Sequence, residues 1–206
     1  MLQGLLQPGR GRPHKLTLSP ISKELGIPCR CHVPTGALKP ETIAAASVGA
    51  EIIQHRPGYN SVIVARARTD AAELKWVEIP FGMECSEAPR QTASQVRNLP
   101  TGIKRIVVTV GSGMSFAGIL LGLQNAGLSI PVLGVMVGAD PIRRLDKYAP
   151  QDWRQRCELI KSGVPYDKEI KEDFPVLLDP IYEAKCVKFL RDGDLFWIVG
   201  IRQTAS

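Results

Sequence analysis

The stretch Val107-Val108-Thr109-Val110-Gly111-Ser112-Gly113-Met114-Ser115-Phe116-Ala117-Gly118 decides the fold. A near-continuous apolar run over residues 105–110 enters a Gly-Ser-Gly turn, and an apolar helical pattern over 115–125 leaves it. A strand that is apolar on both faces is typical of a parallel sheet covered by helices. The stretch therefore predicts a strand, a turn and a helix, with the turn at the edge where open α/β sheets bind ligands.

The same turn has the chemistry of an anion site. Its glycines let backbone N–H groups point inward, and the helix N-terminus adds partial positive charge. Ser112 and Ser115 add hydroxyl donors. The spacing is neither Gly-x-Gly-x-x-Gly nor a P-loop, since Gly118 comes late and no Lys-Ser/Thr pair follows. We predict a phosphomonoester site; the alternative is a tight turn whose glycines serve packing alone.

Residues 106–139 carry no charge, and that length could cross a bilayer. Glycines at 111 and 113, the segment Gln124-Asn125-Ala126-Gly127 and then Pro131 interrupt the stretch. It therefore predicts a buried β-α-β unit, and we expect no membrane partner.

Strand patterns alternate with helix patterns through most of the chain, which predicts an α/β fold with a parallel sheet, flanking helices and two lobes. We expect a basic arm or loop over 1–15, a small lobe over 16–85 and a large lobe over 86–206. The first segment is rich in glycine, proline and arginine, which favours irregular structure. Late in the chain, residues 179–190 predict a helix.

The composition is that of an ordinary globular protein, with 44% hydrophobic and 22% charged residues. The 26 basic side chains exceed the 20 acidic ones, which favours anionic partners, although a solvated basic surface is the other explanation. Aromatic residues make up 6%, too few to favour a base-stacking platform. Five cysteines without paired spacing predict no disulfide framework and favour a reducing, cytoplasmic compartment.

Several motifs, in this order and spacing, resemble the fold-type II pyridoxal-phosphate enzymes, above all the branch of 1-aminocyclopropane-1-carboxylate deaminase and D-cysteine desulfhydrase. They are SKELGIPCRCHVP (22–34), GAEII (49–53), IPFGM (79–83), GSGMSFAG (111–118) and DPIYEAK (179–185). The resemblance implies a two-lobed architecture like that of tryptophan synthase β, in truncated form.

The resemblance also implies a cofactor and its contacts. Pyridoxal 5′-phosphate, the expected small phosphorylated ligand, would be held by its phosphate at the loop formed by Gly111, Ser112, Gly113, Met114 and Ser115. Two catalytic residues are expected from the family pattern. Tyr182 would face the substrate, and His14 matches the histidine of the family's Ser/Gly-Asn-His loop.

Three departures bear on activity. The family's Schiff-base lysine lies upstream of the segment matched by Arg12-Pro13-His14, so we expect an N-terminally truncated chain without that lysine, which binds the cofactor non-covalently. Met114 and Ser115 stand where glycine and threonine are usual. The ending Trp197-Ile198-Val199-Gly200 replaces His-Thr-Gly-Gly, which leaves the partner of the pyridine nitrogen open. The alternatives are impaired lyase or deaminase chemistry, a repurposed reaction, or a catalytically inactive binding protein.

The arm suggests a second partner. Arg10-Gly11-Arg12-Pro13 matches the core of an AT-hook, in which Arg10 and Arg12 would contact the minor groove of DNA. A disordered basic tail is the alternative.

Other polar residues carry weaker hypotheses. Cys29 and Cys31 share one face of a predicted strand while His32 points to the other, so we expect core cysteines and no metal. His55 is a candidate acid–base group and Cys85 a candidate nucleophile.

The predicted ligand side of the large lobe carries further cations. Arg143 and Arg144 either meet an anionic substrate or form a solvated helix face. Lys185 is expected beside Tyr182, either at the site or with its amine reaching solvent. A lobe this short is expected to leave apolar surface uncovered, which predicts a homodimer.

Overall fold

The computed structural model describes residues 3–8 and 14–200, without the side chains of residues 14–17. This part of the chain divides into two compact units, one ending at Phe81 and the other beginning at Gly82. The sequence placed the boundary after residue 85. Each unit is built on a four-stranded sheet with parallel pairing throughout, which confirms the predicted α/β architecture.

The first unit is a parallel sheet whose strands are joined by helices, because parallel neighbours require a crossover. Its elements are β1 (Leu5–Pro8), α1 (His14–Glu24), β2 (Cys29–Pro34), α2 (Pro40–Ser47), β3 (Glu51–His55), α3 (Asn60–Leu74) and β4 (Val77–Glu78). The strand order is β3-β2-β1-β4.

Strand β1 corrects the prediction of an arm over residues 1–15. Leu5 pairs with Cys29 on one side and with Val77 on the other, so β1 lies inside the sheet. Leu6 is fully buried and Leu5 is 6% exposed. The prediction was wrong here because four residues are too few for strand periodicity to stand out between glycine and proline. Only pairing with two distant segments makes this a strand.

The two faces of β2 differ as the alternation predicts. Cys29 and Cys31 are buried in an apolar cluster, whereas His32 meets Asp70 of α3 on the opposite face. Within the described residues, no group of three or more His, Cys, Asp or Glu side chains is placed to hold a metal ion. All five cysteines belong to the described part of the chain, and none of them forms a disulfide.

The polar face of β2 forms a hydrogen-bonded chain with α3 and β3. Asp70 accepts two hydrogen bonds of 2.9 Å from Arg30 Nη1, and its Oδ2 lies 2.9 Å from His32 Nε2. His32 Nδ1 in turn lies 2.7 Å from His55 Nε2. Burial acts to raise the pKa of Asp70, but the hydrogen bonds from Arg30 and His32 outweigh it and the pKa lies below its ordinary value. Burial lowers the pKa of both imidazoles, so both are neutral at pH 7.

These neutral imidazoles make the first unit acid-sensitive. Their pKa values in the folded chain lie below the ordinary value of 6.5, so the unfolded chain binds more protons as the pH falls below about 6.5. Stability is therefore full above this pH and declines under acid conditions. The groups that face the pair are Arg30, Arg66 and Asp70.

We expect the urea midpoint to fall from pH 7.5 to pH 5.5, and His55→Gln to reduce this fall. Groups elsewhere in the chain titrate equally in both proteins, so the difference between the two pH profiles isolates the imidazole. His14→Gln, which replaces the third histidine of the chain, is the control. Identical profiles for the wild type and His55→Gln would contradict the assignment.

The second unit repeats the parallel arrangement around the stretch that decided the fold. Its elements are α4 (Glu87–Gln95), β5 (Arg105–Val110), α5 (Met114–Asn125), β6 (Val132–Met136), α6 (Ile142–Tyr148), α7 (Trp153–Arg156), β7 (Cys157–Lys161) and β8 (Asp194–Trp197), with 3₁₀ turns at Val96–Asn98 and Glu183–Phe189. A further 3₁₀ turn, Phe81–Met83, lies where the chain passes from the first unit to the second. The strand order is β7-β6-β5-β8.

Strand β5 is buried on both faces, as predicted. Ile106, Val108 and Val110 pack with Phe116 of α5, while Val107 belongs to a second cluster on the other face. The uncharged stretch 106–139 is thus a β-α-β unit, and no helix in the described residues is long and apolar enough to cross a membrane.

Glycine in α5 serves close helix packing. A Cβ at Gly118 would lie 2.5 Å from Thr92 Cβ and 2.7 Å from the Pro89 carbonyl oxygen, both on α4. This contact holds α4 against α5 and thereby fixes the helix that begins at the Gly-Ser-Gly turn.

Candidate functional site

The turn between β5 and α5 has the geometry that an anion site needs. Gly113 has φ +88°, a left-handed conformation that favours glycine, and it ends the turn at the N-cap of α5. The first N–H groups of a helix have no partner within the helix. That of Met114 makes a long hydrogen bond of 3.5 Å to Ser112 Oγ, and that of Ser115 lies next to it at the same end. Ser112 and Ser115 are half-buried, whereas Met114 is 3% exposed.

The two glycines of the turn are also sites of close approach. A Cβ at Gly111 would lie 2.6 Å from Tyr182 Oη, and one at Gly113 would lie 2.9 Å from Pro141 Cβ. Packing therefore explains part of the glycine pattern, in line with the alternative that these glycines serve packing. The same packing brings Tyr182 against the turn.

Tyr182 lies beside the predicted phosphate loop and serves as a donor. Its hydroxyl donates to the Thr109 carbonyl oxygen over 3.5 Å. Burial raises the pKa of this phenol above its ordinary value, so the hydroxyl stays protonated at neutral pH. A protonated phenol donates a hydrogen bond and does not act as a base. Its catalytic role stays a prediction.

The segment that presents Tyr182 is not the regular helix predicted over residues 179–190. Asp179 Oδ1 accepts a hydrogen bond from the Ile181 N–H at 2.8 Å, and Tyr182 has φ −123° and ψ −84°, outside the helical region. The chain therefore turns first, and only a 3₁₀ helix follows at Glu183–Phe189.

Glu183, next to Tyr182, is the most unusual group in this region. The residue is fully buried. Its Oε1 accepts a hydrogen bond from the Gly200 N–H at 3.2 Å, while its Oε2 has no hydrogen-bond partner among the described residues. Burial raises the pKa of the carboxyl to about 7. A buried carboxylate oxygen without a partner is costly, which makes this residue a candidate for a functional role.

Sheet topology puts Glu183 at the same edge as the predicted phosphate loop. Strand β8 runs parallel to β5, with Trp197 opposite Val108. Gly111 follows the end of β5 and Gly200 follows the end of β8, so both lie at the carboxyl edge. Through its hydrogen bond to Gly200, the Glu183 carboxylate is held at that edge. Sequence reasoning missed Glu183, and the only available signal was an acidic residue within the motif around Tyr182.

Lys185 is not the partly exposed cation that one alternative predicted. It is 1% exposed, and its Nζ donates to the carbonyl oxygens of Pro165 at 2.7 Å and Tyr166 at 2.8 Å. These bonds satisfy two donors of the buried amine, and they tie the 3₁₀ helix to the preceding loop.

The remaining predicted residues are divided between several places. Arg144 forms an ion pair with Glu84 at 2.7 Å, while Arg143 lies on the exposed face of α6. Cys85 is half-buried. His55 belongs to the first unit, where it meets His32.

Three predictions have no test in this structure. The side chain of His14 and the residues Arg10 and Arg12 lie outside the described part of the chain. The catalytic role of His14, DNA contact by the two arginines and the homodimer therefore stay predictions.

Comparison with known proteins gives a family and a fold. A family model described as pyridoxal-phosphate dependent enzyme matches residues 16–178. An ACC deaminase homologue superposes with a TM-score of 0.82 at 20% identity, over 96% of this chain and 73% of that one. Serine racemase from Dictyostelium discoideum gives 0.71 at 14% identity, over 100% and 78%, and a threonine deaminase from T.th. gives 0.68 at 14%, over 100% and 79%.

Identities this low show the fold alone, and a comparison with curated proteins gave no match. The family model is the stronger finding, because it spans well over half of the chain, including the Gly-Ser-Gly loop. The fold and the match together confirm the resemblance drawn from the motifs: the chain belongs to the family of pyridoxal-phosphate dependent enzymes.

Proposed function

We propose that the second unit binds pyridoxal phosphate by its phosphate at residues 111–115 and acts on the amino group of a small amino acid, as a lyase or deaminase. The observation that supports this best is Oε2 of Glu183, buried without a partner among the described residues at the edge that carries the loop. A protonated pyridine nitrogen presents one N–H donor, which is what this oxygen lacks.

The loop fits the other end of the cofactor. A phosphate dianion is attracted to the N-terminus of α5, a helix of 12 residues. The donors for its oxygens would be the Ser115 N–H, the hydroxyls of Ser112 and Ser115, and the Met114 N–H once it exchanges its long 3.5 Å bond to Ser112 Oγ for the phosphate. A single phosphate needs only one turn of donors, so neither the dinucleotide spacing nor the P-loop spacing is required here.

The residues of this chain would orient and polarise the cofactor. When bound, pyridoxal phosphate supplies an electron sink for negative charge at the carbon next to the amino group. Glu183 would keep a proton on the ring nitrogen, which strengthens that sink. Tyr182 would supply a hydroxyl donor at the loop, because burial keeps its phenol protonated.

The test compares three ligands that differ by one group. Pyridoxine 5′-phosphate keeps the ring and phosphate but has no aldehyde, and pyridoxal keeps the aldehyde but has no phosphate. If the phosphate anchors the ligand non-covalently, pyridoxine phosphate should bind within a few-fold of pyridoxal phosphate. Pyridoxal should bind at least 100-fold more weakly, since several charge-assisted hydrogen bonds are lost. Calorimetric titration measures all three.

Borohydride reduction and ammonia release separate the alternatives. A reduced adduct found on any lysine by mass spectrometry would contradict non-covalent binding. Ammonia release from 1-aminocyclopropane-1-carboxylate, D-cysteine or L-threonine by the loaded chain would support a lyase or deaminase. Tight binding without release would instead support a catalytically inactive binding protein.

A further inference from the structure

The first unit has a cavity, lined by charged and polar residues and one isoleucine, that the proposed cofactor site does not use. Its volume is about 260 Å³, below the roughly 300–1,000 Å³ that is common for drug-sized ligands. One wall is a single face of α3, with Arg66, Thr69, Asp70 and Glu73 at positions i, i+3, i+4 and i+7. The other wall consists of residues on β2 and β3, namely Arg30, His32, Ile53 and His55.

The hydrogen bonds of the cavity determine which ring nitrogens donate and which accept. The pKa of Asp70 is held low, so its carboxylate only accepts, and His32 Nε2 must donate to it. His32 is neutral, so its Nδ1 accepts the proton of His55 Nε2 across 2.7 Å. His55 is also neutral, which makes its Nδ1 an acceptor. The chain of hydrogen bonds therefore ends in an imidazole lone pair on a half-buried residue.

Some charged side chains of the cavity form ion pairs, and others do not. Arg30 is paired with Asp70 at 2.9 Å and with Glu51 at 2.7 Å. Arg66 and Glu73 form no ion pair among the described residues. Arg66 lies close enough to His55 for its charge to act on the imidazole. One cation, one anion and one neutral acceptor are thus left for a ligand.

We propose that this cavity binds a small α-amino acid as its zwitterion, with the carboxylate on Arg66 and the ammonium on His55 Nδ1 and Glu73. A simple anion would be attracted by Arg66 but repelled by Glu73. A simple cation would be attracted by Glu73 but repelled by Arg66. An ammonium supplies the N–H donors that the imidazole lone pair requires, and guanidinium binds carboxylate with two parallel bonds. Glycine and L-serine are small enough for the cavity.

The test is a titration of the cofactor-free full chain with glycine and L-serine, followed by NMR of the imidazole rings. The chain has three histidines, and loss of a signal in His55→Gln assigns the His55 ring. We expect a saturable shift of that ring with either amino acid, and much weaker shifts with acetate or methylamine. Because the readout lies in the first unit and no cofactor is present, its failure would leave the proposed cofactor site untouched.

A pair of arginine variants completes the test. Arg66→Ala should raise the dissociation constant at least tenfold, since a charge-assisted bidentate contact is lost. Arg68→Ala removes the same charge from the same helix outside the cavity and should change it less than twofold. Three results would each overturn the proposal. They are an affinity for acetate equal to that for glycine, equal losses of affinity in the two variants, and the absence of a saturable shift with either amino acid.

Discussion

Replacing Gly111 with valine should lower the affinity of the chain for pyridoxal phosphate by about 100-fold. Even a Cβ at this position would lie 2.6 Å from Tyr182 Oη and 3.0 Å from its Cε2. Valine adds two further methyl groups, so Tyr182 and the loop must move apart. Loss of two charge-assisted phosphate hydrogen bonds corresponds to about 3 kcal/mol or more, which is at least two decades of affinity. Calorimetry with pyridoxine 5′-phosphate measures the effect without aldehyde chemistry.

A graded pair of variants separates this clash from general damage. Gly111→Ala should weaken binding less than valine, and the double variant Gly111→Ala/Tyr182→Phe should recover part of the loss because the closest atom, Oη, is removed. Gly58→Ala is the control, since the nearest heavy atom to a Cβ there is the Arg56 carbonyl oxygen at 3.9 Å. Unchanged affinity in Gly111→Val, with the fold intact by circular dichroism, would place the phosphate elsewhere.

The loop could be predicted from sequence because its causes are local. A run of apolar residues, two glycines and an apolar helix are adjacent in the chain, and each favours its own structure without help from distant residues. The left-handed Gly113 and the buried β5 follow from that pattern. Tyr182 was found differently, through the family motif, since 71 positions separate it from Gly111.

The features that sequence reasoning missed depend on distant segments. Glu183 is unusual because it is fully buried, and its hydrogen-bond partner Gly200 lies 17 positions away in the chain. The imidazole pair brings together residues 23 positions apart and an aspartate 38 positions from His32. Nothing in their separate surroundings distinguishes these residues from surface ones. Strand β1 was missed for the same reason, because its two partners come from residues 29 onward.

Replacing Glu183 with glutamine should stabilise the ligand-free chain at alkaline pH. Folding raises the pKa of this carboxyl from 4.5 to about 7. An acid with a raised pKa leaves stability intact below the unfolded value and reduces it as the pH rises towards the folded value. Between pH 5 and pH 8 the wild type should lose about 2–3 kcal/mol from this group. Glutamine does not titrate, so the variant should not show this loss.

The same substitution should weaken cofactor binding, and this opposite sign distinguishes a functional carboxylate from a packing defect. An amide cannot form the charge-assisted bond to a protonated ring nitrogen, so affinity for pyridoxine phosphate should fall about tenfold. Urea unfolding at pH 5 and pH 8 and calorimetric titration measure the two effects. Glu169→Gln, at an exposed position, should change neither.

A variant that gains stability at pH 8 yet binds as well as the wild type would show that Glu183 does not contact the ring. A stability difference that does not vary with pH would contradict the raised pKa. A carboxylate that binds a ligand at the expense of the stability of the empty protein should show both effects together, so the two measurements are made on the same variant.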